Sequence, residues 1–255
     1  MLFYGSTDVG MRRAVNQDNF IIRKYSDDVI FAVVCDGMGG AAGGSIASRT
    51  AAEAFCRELE AAETTYPLFS DLGEEEIAHI LVSAAEEANH AVYKMAQDDE
   101  ELSGMGTTLV GCLAVPGRIY TVNVGDSRMY MDKGDGMFQV TRDHSYVQYL
   151  VDMGKLSKEE ARASKKKNII TRAVGTERTV EVDFFVTEYD GNAVMLLCSD
   201  GLTNHVEEAE LEVILRGADS EEGIQKACEE MISCANSRGG TDNITAVVIV
   251  QAKEE

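Results

Sequence analysis

Four aspartates carry the chemistry this sequence offers most plainly. The apolar run 31–35 ends in Asp36-Gly37, the run 195–199 in Asp200-Gly201, and the run 121–125 in Asp126-Ser127-Arg128, while Asp242-Asn243 leads straight into the run 244–250. Taken singly, an Asp-Gly pair after a strand is a turn, with Asp bonding its own backbone and Gly supplying a positive φ. Four carboxylates that each abut an apolar strand weaken that reading, because strand ends in packed sheets meet at one edge. Clustered carboxylates repel one another and are costly without a cation. Hard oxygen ligands on strand ends, with room for water, suit Mg²⁺ or Mn²⁺. Two such ions side by side clamp phosphoryl oxygens and acidify a bridging water. A phosphate also calls for a planar set of donors, which arginine supplies. Arg12 and Arg13 stand just ahead of Asn16-Gln17-Asp18-Asn19, although a surface loop would also hold such a pair.

The elements that must position these residues follow from periodicity. Apolar residues from Ile77 to Met95 recur at threes and fours, which makes 74–97 one helix. Ile224 to Ala235 repeat the pattern, 43–60 forms a third helix, and Leu211, Ile214 and Leu215 mark a shorter one ahead of Gly217. The runs 30–35, 109–115, 119–124, 193–198 and 244–250 are short and continuously apolar, so they read as strands buried on both faces. Pro116-Gly117 joins two of them as an antiparallel hairpin. Two long helices follow each other between residues 43 and 97 with no strand between them. That is not the rhythm of a parallel α/β sheet; it fits packed sheets with helix pairs outside. The stretch 143–173, with short helical patterns and Lys165-Lys166-Lys167, reads as a helical insertion or flap. No linker divides the chain, so 1–255 reads as a single domain.

Composition sets outer bounds. A chain of 255 residues that is 45% hydrophobic can bury a core. With 44 acidic against 23 basic residues the formal charge is −21, which argues against nucleic acid and against an anionic membrane surface. Most of that excess reads as solvated surface, and the lysine run as a solvated flap face with a smaller chance of steering an acidic or phosphorylated substrate. No apolar run is long enough to span a bilayer, and no signal-like segment opens the chain. The six cysteines form no C-x-x-C pair and sit mostly in apolar stretches, so they read as reduced core residues of a cytoplasmic protein.

The ordered set Arg13-Ala-Val-Asn16-Gln17-Asp18, Asp36-Gly37-Met38-Gly39-Gly40, Gly106-Thr107-Thr108, Gly125-Asp126-Ser127-Arg128, Asp143-His144-Ser145, Ile170-Thr171-Arg172, Ser199-Asp200-Gly201-Leu202 and Asp242-Asn243 resembles the type 2C (PPM) metal-dependent protein serine/threonine phosphatases of the compact bacterial kind. The resemblance spans nearly the whole chain. It implies an α+β fold, a four-layer αββα sandwich of two packed antiparallel β-sheets flanked by antiparallel helix pairs. It further implies that Asp36 bridges two ions with the Gly37 carbonyl completing one site. Asp200 and Asp242 would hold the other ion, Asp18 would act through metal-bound water, and Asp126 with Asp200 would form a third site. Two to three Mn²⁺ or Mg²⁺ would then be bound, and Arg13 would take the substrate phosphate. The flap would span about 145–169 and influence substrate choice. The implied reaction is attack of a metal-bridging water on phosphoserine or phosphothreonine, with no covalent intermediate. The implied partners are phosphorylated proteins, those of a cognate Ser/Thr kinase, served by a monomer.

Two positions depart from the family pattern. Met38 stands where animal members often carry a histidine that is a candidate general acid, which leaves metal-bound water or His144 as weak candidates for the proton donor. Ser164-Lys165 stands where bacterial members commonly carry His-Pro. Three other patterns are set aside. Residues 37–42 match the G-x-G-x-x-A dinucleotide fingerprint, but Asp36 would aim a carboxylate at the pyrophosphate and two helices follow; the glycines instead would let the backbone approach a metal site. Cys112 and Arg118 have the C-x₅-R spacing of cysteine-dependent phosphatases, but a hairpin turn lies between them and Cys112 sits in an apolar strand. His79, His90 and His205 have no ligand spacing. Two alternatives to the enzyme remain, a catalytically silent phosphoprotein-binding relative and a two-metal hydrolase of other phosphoesters. The complete ligand set disfavours the first.

Overall fold

The computed structural model describes residues 1–66 and 69–251. Strand β1 (Leu2–Asp8) pairs with β11 (Ile244–Gln251), then come β10 (Ala193–Cys198), β7 (Arg128–Asp132) and β8 (Met137–Gln139). The second sheet runs β2 (Asp18–Ser26), β3 (Val29–Met38), β5 (Leu109–Val115), β6 (Arg118–Val124) and β9 (Asp183–Glu188), with the short β4 (Gly106–Thr107) added at the end of β3. The pairings are antiparallel throughout.

A two-residue side-chain period sorts each strand between two layers. Ile30, Ala32 and Val34 of β3 and Val110 and Cys112 of β5 meet Met129, Leu197, Val247 and Ile249 of the other sheet, all fully buried. The intervening Phe31, Val33 and Cys35 pack instead on α1 (Gly40–Thr65) and α2 (Glu74–Asp98). On the far side Leu196, Cys198, Ala246 and Val248 pack on α6 (Glu208–Leu215) and α7 (Glu221–Ser237). Helices α1 and α2 run antiparallel, since Thr50 near the start of one donates to Met95 near the end of the other. The four-layer αββα sandwich is therefore as expected, and the continuous apolar runs are the strands covered on both faces.

The half-buried strands were not legible from the sequence: β1, β2, β8 and β9 mix polar and apolar residues without a clean run. Helix α1 is longer than the apolar stripe 43–60, because its first turn is built of small residues and its last turns are largely solvated. The stretch expected to be a flap carries α3 (Tyr146–Asp152) and α4 (Lys158–Ala163), the second opened by a capping box between Ser157 and Glu160. Ser164, at the first departure from the family pattern in the flap, caps α4 and accepts from the Lys166 N–H. All six cysteines are free, five of them buried. Among the described residues no helix is long and apolar enough to cross a membrane.

Candidate active site

A cleft of about 550 Å³ opens where the two sheets end together, and Arg13, Asp36, Gly37, Asp126, Asp200 and Asp242 all line it. Asp36 lies within β3 rather than after it, opposite Asp18 across the β2–β3 pair. Its backbone is clamped from the neighbouring strand: its N–H donates to Thr108 Oγ1, and its carbonyl accepts from Thr107 Oγ1 and the Thr108 N–H. Asp126 follows β6. Asp200 opens the single-turn helix α5 (Asp200–Thr203) directly after β10, and Asp242 stands two residues ahead of β11. Asp200 and Asp242 are brought together by Gly201, where a Cβ would overlap the Asn243 carbonyl oxygen.

Arg13 Nη2 donates to Asp242 Oδ2 at 2.8 Å, and Asp242 Oδ1 accepts from the Asn243 N–H. The guanidinium's pKa is raised by that bond first, and then by Asp36 and Asp200. Asp18 sits behind the cleft wall, 6% exposed. Its Oδ2 accepts from Ser199 Oγ and Thr245 Oγ1, both at 2.7 Å, while Oδ1 is buried with no partner. Asp200 is held likewise, with Oδ2 accepting from Asn204 Nδ2 at 2.9 Å and Oδ1 buried without a partner.

The electrostatics of this group are those of uncompensated negative charge. Burial, and then Asp18, Asp200, Asp126 and Asp242, push Asp36 well above the usual carboxylate range. Burial, then Asp200 and Asp143, lift Asp126 to about 8. Burial lifts Asp18 to about 6 against the two hydroxyl donors, with Asp200 and Asp242 adding to the rise. Burial and then Asp242 raise Asp200, with Asn204 opposing. A divalent cation is what such a group fits: the donors are all hard oxygens, and two buried carboxylate oxygens lack any partner. Among the described residues no three His, Cys, Asp or Glu side chains close on one point to hold an ion by themselves. Mg²⁺ and Mn²⁺ bind through one or two carboxylates and keep several waters.

One expectation changes. His144 does not reach the cleft: Nδ1 accepts from the Gly125 N–H at 3.0 Å, and Nε2 lies 3.1 Å from Asp183 Oδ2 and 2.9 Å from Arg172 Nη1. Burial lowers its pKa, and with both ring nitrogens engaged it positions the loop carrying Asp126 instead of serving as a proton donor. At Gly37 a Cβ would overlap the Gly44 carbonyl, so the packing of α1 on β3 also requires a glycine there. Met38 does line the cleft, as a thioether with nothing to donate. The set-aside patterns stay aside. β3 has antiparallel neighbours on both sides. Cys112 is fully buried with its thiol pushed up to about 12, and Arg118 pairs with Glu188. His79 and His90 are exposed, and His205 Nε2 bonds Thr241.

Sequence reasoning missed the residues that hold the site together. Asn243 Oδ1 accepts from the Gln17 N–H, and its Nδ2 donates to the carbonyls of Val9 and Val15, which ties the loop bearing Arg13 to the base of β11. Ser199 and Thr245 fix Asp18, and Thr245 Oγ1 also bonds Thr7 Oγ1. Their one signal is a polar side chain inside or against an otherwise apolar run.

With this geometry in hand the chain can be compared with known proteins. The family model for Protein phosphatase 2C matches residues 11–249. The serine/threonine phosphatase stp of Listeria innocua is 40% identical over 243 residues, covering 95% of this chain and 93% of that protein. The crystal structure of the serine/threonine phosphatase Stp1 from Staphylococcus aureus superposes with a TM-score of 0.85 at 30% identity, over all of this chain and 96% of that one. The catalytic domain of the serine/threonine protein phosphatase PstP, solved in complex with 2 manganese ions, gives 0.79 at 30% identity over 97% of each chain. A match that leaves so little of the sequence outside it settles the classification: the chain belongs to the protein phosphatase 2C family, the metal-dependent protein serine/threonine phosphatases.

Proposed function

We propose that the cleft lined by Arg13, Asp36, Asp126, Asp200 and Asp242 is the site at which this phosphatase hydrolyses phosphoserine and phosphothreonine in proteins. The observation that carries the reading is one set of aspartates raising each other's pKa in a cleft with an arginine at its mouth. Asp36 with the Gly37 carbonyl, Asp200 with Asp242, and Asp126 with Asp200 would hold two to three Mn²⁺ or Mg²⁺, and Asp18 would act through water. When bound, the ions supply an activated water and neutralise charge on the phosphoryl oxygens.

The chain's own residues do the rest. Arg13 offers a planar fork to the phosphate and aligns phosphorus for in-line attack by water, so that the P–O bond to the Ser or Thr oxygen breaks without a phosphoenzyme. Ser199 and Thr245 fix one oxygen of Asp18, which leaves Oδ1 to accept a hydrogen bond from water. No histidine lines the cleft among the described residues, so the leaving oxygen takes its proton from water. We read residues 1–255 as one catalytic domain with a flap at about 145–169, acting as a monomer on the products of a cognate Ser/Thr kinase. The free cysteines fit a reducing cytoplasm.

The test is hydrolysis of a phosphothreonine peptide with and without Mn²⁺. Metal-dependent turnover is expected, abolished in Asp36→Asn and in Asp242→Asn. Undiminished activity in excess chelator, or in both variants, would overturn the site assignment.

A further inference from the structure

A second cleft, of about 660 Å³, adjoins the first, and Asp126 and Asp200 line both. One wall is the 145–169 stretch, with Lys158 and Arg162 of α4 and Lys167 beyond it; the other is the end of α5 and the start of α6, with Asn204 and Glu208. Nothing in the hydrolytic chemistry calls for a groove of this size beside the cleft.

Its charges are unusual for a chain of net charge −21. The guanidiniums of the walls are already engaged: Arg128 holds Asp143, Arg142 holds Asp152, Arg238 holds Glu210, and Arg162 reaches Glu208 at 3.5 Å across the groove. Lys158 and Lys167 also line it, without an ion pair among the described residues; Lys167 is near enough to Asp200 to oppose the rise of its carboxyl, and Glu207 lines the groove as well. Lys158 is the first residue of α4 and is exposed on the groove wall.

We infer that this groove seats an acidic segment of the phosphoprotein, whose carboxylates meet Lys158 and Lys167 while the phosphoresidue lies at Arg13. The inference rests on the phosphatase site proposed above. Because Asp126 and Asp200 belong to both clefts, an extended peptide at about 3.3–3.6 Å per residue passes from one to the other within a few residues of the phosphoresidue. In a protein this acidic, a groove wall carrying Lys158 and Lys167 favours acidic flanks, which are repelled from most of the remaining surface.

The experiment compares kcat/KM of the full chain with Mn²⁺ on phosphothreonine peptides whose flanks are neutral, acidic on the N-terminal side, acidic on the C-terminal side, or basic. p-Nitrophenyl phosphate, too small to reach the groove, reports the metal cleft alone. Acidic residues on one side should raise kcat/KM about fivefold over the neutral peptide, the effect of two surface-exposed ion pairs. Lys158→Glu should erase or invert that preference with p-nitrophenyl phosphate turnover unchanged. Lys165→Glu, exposed but outside the groove, should leave the preference intact. Equal rates on all peptides, a preference for basic flanks, or a preference that survives Lys158→Glu would overturn the inference and leave the phosphatase site standing. Failure to hydrolyse p-nitrophenyl phosphate and every peptide would remove the site assignment, and the groove's role with it.

Discussion

At the scale of residues, Arg13 and Asp242 share one hydrogen bond while being read for different tasks, phosphate and metal. The pair is partly open, with side chains 52% and 23% exposed, so the guanidinium is free to turn toward a phosphate without unburying a charge. Arg13→Ala should raise KM for a phosphopeptide about tenfold or more, the range of a charge-assisted hydrogen bond. The Mn²⁺ titration should not weaken, because Asp242 loses only a competitor. Weaker metal binding in that variant would make Arg13 a structural partner of Asp242. The residues alone offered Arg12 and Arg13 alike, and it was the family resemblance that picked out Arg13. Asn243 was not legible, because its work is three hydrogen bonds to backbone groups far away in sequence.

At the scale of elements, the site depends on how tightly the β10–α5 turn approaches the start of β11. Gly201 sets that approach, with no space for a Cβ against the Asn243 carbonyl. Gly201→Ala should cost about 1–3 kcal/mol of stability, as overpacking does. It should lower activity further than the lost folded fraction explains, since the backbone shift parts Asp200 from Asp242. Thermal melts alongside kcat at a temperature where the variant is fully folded separate the two effects, and unchanged kcat there would show the spacing of the two aspartates to be uncritical. The strands carrying these residues were readable from their continuous apolarity, whereas β1 and β2, which place the Arg13 loop and Asp18, are half-buried and give no such run.

At the scale of the whole molecule, the acidic cluster links stability to pH. Asp18 at about 6 and Asp126 at about 8 bind protons more tightly folded than unfolded. Their contribution to stability is therefore full below about pH 4 and lost as pH rises through about 6 and then about 8. His144, lowered by burial, works in the opposite direction. In chelator the melting temperature should fall between pH 6.5 and pH 8.5, above the range of His144, and the fall should shrink in Asp126→Asn. Mn²⁺ should raise the melting temperature more at pH 8.5 than at pH 6.5. A chelated protein equally stable at both pH values would mean that the cluster's charge is dispersed without metal.

The sequence by itself determined the layers and the chemistry. Buried strands and consecutive helices leave apolar periods that fit packed sheets with helix pairs outside, and the ordered motifs around the strand-end aspartates carry the resemblance that implies the fold and the reaction. Tertiary structure alone decided which groups act together. It turned His144 inward onto Gly125, packed α1 closely on Gly37, stapled the Arg13 loop through Asn243, and opened a lysine-bearing groove beside the cleft. Each of these is a contact between residues distant along the chain, and side-chain direction across such distances is set by packing, which local patterns do not encode.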